Sequence, residues 1–208
     1  MKNINVIIVG VGGQGTLLTS RILGNVAFDA EKDVKVSEVH GMSQRGGSVV
    51  TYVRVGDNVN SPVIEKGQAD VIIAFEELEA IRWFEYLKRD GIFIINSQKI
   101  NPMPVIIGKS KYPEKILEKI NNNCENVIVI DALKYAEDCG NIKTVNVVLL
   151  GVFAKITGGN RESWINTIKE TVPSKVLDVN IKAFELGYEK GNPDREPLAM
   201  IHEEGGDQ

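Results

Sequence analysis

Cysteine and histidine are scarce in this 208-residue chain, which has two of each: Cys124, Cys139, His40 and His202. A structural zinc site takes four Cys or His ligands, and an iron–sulfur cluster usually takes four thiolates. With the two histidines near opposite ends, the chain assembles neither from its own residues. The amino-terminal MKNINVIIVGVGG places one lysine before an apolar run and shows no secretory cleavage pattern, so the cysteines read as reduced thiols of a cytoplasmic protein.

A positive surplus is missing too. Lys and Arg number 24 against 28 Asp and Glu, a net charge of −4. No basic stripe is present, which excludes a protein that binds nucleic-acid backbone. No apolar run reaches the ~20 residues of a membrane span. The nearest is VNVVLLGVFAKI (145–156), which reads as a buried core helix with Thr144 as N-cap and Gly158 just past its end. The phosphate loop G-x-x-x-x-G-K-[ST] is also absent.

What is present is ordinary for a globular α/β protein: 43% hydrophobic and 25% charged residues. INVIIV (4–9) reads as a strand buried on both faces, TLLTSRILGNVAFDA as a helix and VKVSEV (34–39) as a second strand. Together they form a βαβ unit. SVVTYVRV, with turn residues Gly56-Asp57-Asn58 behind it, is a further strand, and SPVI a short edge strand. DVIIAF (70–75) precedes a helix over 76–90 with acids in its first turn and Lys88 and Arg89 in its last. GIFIINS (91–97) and NVIVID (126–131) are strands, and KYPEKILEKINNN is a helix opened by Pro113. From Ala132 the pattern is helical. The expectation is a Rossmann-like, mostly parallel sheet flanked by helices, with a helical C-terminal third. One domain spans 1–190. The tail 191–208, with Pro193 and Pro197, is flexible or lies along a partner.

GVGGQG satisfies G-x-G-x-x-G through Gly10, Gly12 and Gly15, after a strand and before a helix. In a dinucleotide site such glycines permit the tight turn, the approach of a phosphate and helix packing, and Glu38 would be the ribose acid. Main-chain N–H groups at the helix start attract anions. The competing reading is structural, because any strand-to-helix turn over a parallel sheet needs small residues. Gly13 and Gln14 within the turn would also let another protein's cofactor come close. Spacing alone leaves both readings open.

The second cluster is EVHGMSQRGGSVV, residues 38–50. It follows a strand of the same unit, so it should crowd the same sheet rim as the glycine turn, with Gln14, His40, Ser43, Gln44 and Arg45 projecting there beside Gly46 and Gly47. A Ser/His hydrolase is not supported: GMSQRGG is not the G-x-S-x-G elbow, and no acid is clearly placed to orient His40. Arg45 suits a carboxylate or phosphate, or pairs locally with Glu38. Glu76, Glu77 and Glu79 resemble a metal cluster but fall at a helix N-terminus, where acids are favoured anyway. Trp83 and Phe84 read as core.

GVGGQG, EVHGMSQRGGSVV and ADVIIAFEELEA together resemble the gamma module of the 2-oxoacid:ferredoxin oxidoreductases. The HGMSQRGG wording is most similar to the beta subunit of the indolepyruvate branch. The similarity runs from residue 3 to about residue 190 and includes NIKAFELGYEKG. The resemblance implies that this chain binds no cofactor and no metal alone and has no catalytic residues of its own. A larger partner subunit would carry thiamine diphosphate and [4Fe-4S] clusters. The assembled enzyme would oxidise an aryl 2-oxoacid such as indolepyruvate with coenzyme A as co-substrate, reducing ferredoxin. Gln14 and residues 43–47 would wall the active-site entrance. The alternatives are a stand-alone NAD(P)- or nucleotide-binding protein and a regulatory module. A dehydrogenase needs an acid/base residue in a substrate domain, yet no histidine occurs between 41 and 201.

Overall fold

The computed structural model describes residues 1–41 and 47–191. Strand β1 (Ile4–Val11) runs through the centre, with Val6, Ile7, Ile8 and Val9 all fully buried, as the unbroken apolar run demands. Helix α1 (Thr16–Asp29) follows, then β2 (Asp33–His40), β3 (Ser48–Gly56) and β4 (Ala69–Ala74). After α2 (Glu77–Trp83) and a 3-10 turn come β5 (Leu87–Asn96), the short helices α3 (Met103–Ile106) and α4 (Ile116–Asn121), and β6 (Val127–Ile130). Helices α5 (Ala132–Cys139), α6 (Val145–Ile156), α7 (Arg161–Thr171) and α8 (Leu177–Lys190) complete the described chain.

The six strands form one sheet in the order β2-β3-β1-β4-β5-β6. β1, β4, β5 and β6 are parallel neighbours, while β3 runs antiparallel to both β1 and β2. The mostly parallel sheet and helical C-terminal region are as the sequence implies. The two sheet faces alternate residue by residue along β1. Val6 and Ile8 join a core under α1, α5, α6, α7 and α8; Ile7 and Val9 join a second under α2 and α4. Among the described residues no helix is long and apolar enough to cross a membrane.

Helix α6 is buried all round except at Lys155, which explains its apolar run. It packs on α8 at very short range. A Cβ added to Gly187 would lie 1.9 Å from the Val148 carbonyl oxygen, and one on Gly151 would lie 2.2 Å from that of Phe184.

Four expectations change. The second strand does not lie beside the first, because β3 enters between them. β3 buries residues from both sides of its pleat (Val49, Val50, Thr51, Val53, Val55), which suits an inner place, while the polar, partly exposed β2 suits an edge. The helix expected over 76–90 ends at Trp83, and Lys88 and Arg89 belong to β5. Strand pairing wins there: Leu87 pairs with Ala69 and Lys88 forms an ion pair of 2.5 Å with Asp70. SPVI forms no strand, since the Arg54 guanidinium donates to the carbonyls of Ser61 and Val63, each at 3.2 Å. Finally, α4 starts at Ile116 rather than at Pro113, and α3 was not foreseen.

Candidate functional site

Parallel strands put their carboxyl ends on one rim. β2 runs with β1, so the rim gathers the glycine turn, His40 and Gly41, the start of β3, Phe75 to Glu77 after β4, and Asn96 to Gln98 after β5. The Gly12 N–H donates to the Gly47 carbonyl at 2.9 Å, and Gly41 N–H donates to Ser48 at 3.0 Å. The turn after β1 and the end of the loop before β3 therefore meet, as expected from the sequence. Ser43, Gln44, Arg45 and Gly46 lie outside the described residues.

Two glycines of the turn have internal reasons to be small. A Cβ on Gly10 would sit 2.8 Å from Gln14 Oε1 and 3.1 Å from Phe75 Cβ. One on Gly15, whose φ is +88°, would sit 2.9 Å from Asn146 Nδ2 on α6. Gly13 is different. Its φ of +102° favours glycine, but the space beside it is open, so this is where a ligand or a partner's backbone can approach.

Gln14 was expected to project from the rim, and it folds inward. Its Oε1 accepts from Val11 N–H at 2.7 Å, and Nε2 donates to the Phe75 carbonyl at 3.1 Å and to Gln98 Oε1 at 3.2 Å. Asn96, fully buried, donates to the same Phe75 carbonyl at 3.0 Å and accepts from Ala132 N–H at 3.0 Å. These amides tie the ends of β1, β4, β5 and β6 into one unit.

Glu38 and His40 form a pair not read from the sequence. His40 Nε2 lies 2.8 Å from Glu38 Oε1, with the histidine side chain 52% and the carboxylate 11% exposed. Glu38 Oε2 accepts from Thr51 at 3.0 Å and Thr16 at 3.4 Å. The signal was available: residues two apart on a strand share a face. The Glu38 carboxylate reaches the start of α1 beside the glycine turn, but as a ribose acid Glu38 has little left to offer. Its carboxylate is already committed to three neighbours.

The acids after β4 stand at a helix N-terminus, as the sequence implies, but their burial was not read from it. Glu76 caps α2 by accepting from Glu79 N–H at 2.9 Å; its other oxygen accepts from Ile100 N–H at 3.0 Å and from the Tyr112 hydroxyl. Burial and the Glu76 carboxylate hold the Tyr112 phenol far above its ordinary range, so it remains a donor. Glu79 accepts from Ser48 Oγ at 2.6 Å and pairs with Arg82 at 2.5 Å. Burial raises the pKa values of Glu77 and Glu79 above the ordinary carboxylate range, against the opposing pull of Lys99 and of Ser48 and Arg82. Among the described residues no group of three or more His, Cys, Asp or Glu is placed to hold a metal ion. Cys124 and Cys139 lie in cores on opposite sheet faces. Trp83 and Phe84 are half-buried and pack on the second core.

The family model for pyruvate ferredoxin/flavodoxin oxidoreductase matches residues 5–190. The indolepyruvate oxidoreductase subunit IorB of Pyrococcus horikoshii is 44% identical over 194 residues, covering 90% of this chain and 95% of that protein. Among solved structures, the gamma subunit of a keto/oxoacid ferredoxin oxidoreductase from Geobacter sulfurreducens superposes with a TM-score of 0.68 at 24% identity, covering 90% of this chain and 98% of its own. A 2-oxoglutarate:ferredoxin oxidoreductase from Magnetococcus marinus contains the same fold, with a TM-score of 0.69 at 17% identity, over 92% of this chain and 31% of its own.

Proposed function

Because the chain belongs to the pyruvate ferredoxin/flavodoxin oxidoreductase family, we propose that it is the small accessory subunit of a 2-oxoacid:ferredoxin oxidoreductase acting on an aryl 2-oxoacid such as indolepyruvate. The reaction converts the oxoacid and coenzyme A to an acyl-CoA and CO2, and its two electrons pass singly to two oxidised ferredoxins. The substrate class is supported by the name of the 44%-identical relative. Thiamine diphosphate and [4Fe-4S] clusters, held by a larger subunit, supply the carbanion chemistry and the electron path.

This chain's part is positioning and exclusion of water. The observation that carries it is the Gly12-to-Gly47 hydrogen bond, which joins both glycine turns into one wall. Gln14 contributes through shape, since its amide hydrogens are spent on Phe75 and Gln98. Arg45 is the residue of the 43–47 loop suited to an oxyanion, presenting a planar fork to the oxoacid carboxylate or to a coenzyme A phosphate.

Mixing tests both levels. The purified chain alone should bind no NAD(H) by calorimetry and turn over nothing. Together with the larger subunit it should restore oxoacid-dependent ferredoxin reduction; activity unchanged by its omission would refute the accessory role. Arg45→Ala in the complex should raise the KM for oxoacid or coenzyme A about tenfold or more. Kinetic constants unchanged for both would remove Arg45 from the site.

A further inference from the structure

Between β5 and β6 the chain makes a long excursion over the rim. Within it Met103, Ile106 and Ile107 are 64%, 65% and 54% exposed. Isolated exposed apolar residues are normal on a soluble surface, but three within five positions set this stretch apart.

The backbone of the excursion is held in place by its own hydrogen bonds. Ile106 and Ile107 N–H groups bond to the Pro102 and Met103 carbonyls at 3.1 and 3.0 Å, and Lys109 N–H bonds back to Pro104 at 2.8 Å. Its two feet are pinned by one buried carboxylate, for Ile100 N–H and the Tyr112 hydroxyl both donate to Glu76 Oε1. Gln98, at the base, accepts from Gln14 of the glycine turn. A backbone fixed in this way loses little further entropy on docking.

Its charge is one-sided. QKINPMPVIIGKSK (98–111) contains Lys99, Lys109 and Lys111 and no acid, in a chain of net charge −4. Lys109 and Lys111 are exposed and make no ion pair among the described residues. A two-fold contact between copies of this chain brings two patches of the same positive sign together, which costs affinity. An acidic partner surface fits instead.

We propose that Met103, Ile106 and Ile107 form a docking knob that seats in an apolar, carboxylate-rimmed socket on the larger subunit. The proposal rests on the accessory-subunit reading, and the knob's foot on the rim places that contact beside the wall it serves.

Binding of labelled chain to the larger subunit tests it. Ile106→Asp with Ile107→Asp should weaken binding about 30-fold or more. The isolated chain should keep its melting temperature within ~2 °C, since both residues are exposed. Lys109→Glu with Lys111→Glu should weaken binding about tenfold at low salt and converge on the wild type at high salt. Unaltered affinity in the double isoleucine variant, with the wild type binding normally, overturns the knob. So does sedimentation showing that the same variant splits a homodimer of the isolated chain, which would assign the patch to self-association. Failure of the wild-type chain to bind the larger subunit would instead sink the accessory reading, and the knob with it.

Discussion

Glu79 shows how a single side chain carries both a link and a liability. It joins the start of β3 to α2 through Ser48 and Arg82, and burial raises its pKa in the folded protein above the ordinary 4.5. Between those two values the folded state keeps a proton that the unfolded chain has released. Stability therefore falls as pH rises through that window and levels off above it. Glu77 acts with the same sign. Urea unfolding of the wild type across pH 4 to 8 should show this decline, and Glu79→Gln should flatten it; an unchanged slope in the variant would exclude Glu79 as a source. The sequence placed these acids at a helix start correctly. It did not reveal their burial, because a helix N-terminus attracts acids whether it lies in water or under a neighbouring strand. Glu38 could be read from the sequence as a candidate acid for a ribose or for Arg45, but its pairing with His40 comes from the strand, where residues two apart share a face.

Helix α6 and helix α8 touch through glycine, and here two effects oppose each other. Replacing a helical glycine by alanine ordinarily gains about 1 kcal/mol in propensity. At Gly187 the added methyl would collide with the Val148 carbonyl, backbone that cannot rotate away. The collision should win, so Gly187→Ala should cost about 3 kcal/mol net and lower the melting temperature by roughly 10 °C. Calorimetry measures it directly, and a stabilised variant would mean that the helices sit farther apart. Long periodic elements such as α1, α6 and α8 were legible because burial imposes their pattern. Boundaries set by partners distant in sequence were not. Leu87 and Lys88 continue a helical pattern, yet Ala69 and Asp70 draw them into a strand. Arg54 satisfies carbonyls in SPVI that another strand would otherwise have taken.

Across the whole molecule, order should decline from the middle of the sheet to its β2 edge. β1 and β4 are covered on both faces, whereas half of β2 is exposed. Amide hydrogen exchange should be slowest over 4–11 and 69–74 and markedly faster over 33–40; equal protection would mean that β2 is covered by something else. The α/β class could be read from local pattern, but the position of β3 could not, since a sequence records that strands exist before it records which neighbours they choose. Only seven residues (41–47) join β2 to β3, so β3 returns antiparallel and starts at the rim, directly after Gly47 of the Gly12-to-Gly47 joint. The joint is made of main chain on both sides. Alanine scanning would pass over it, because trimming side chains leaves amide and carbonyl untouched. Only chemistry that edits the peptide itself, such as an ester in place of the residue 12 amide, would reveal how firmly the two loops hold each other.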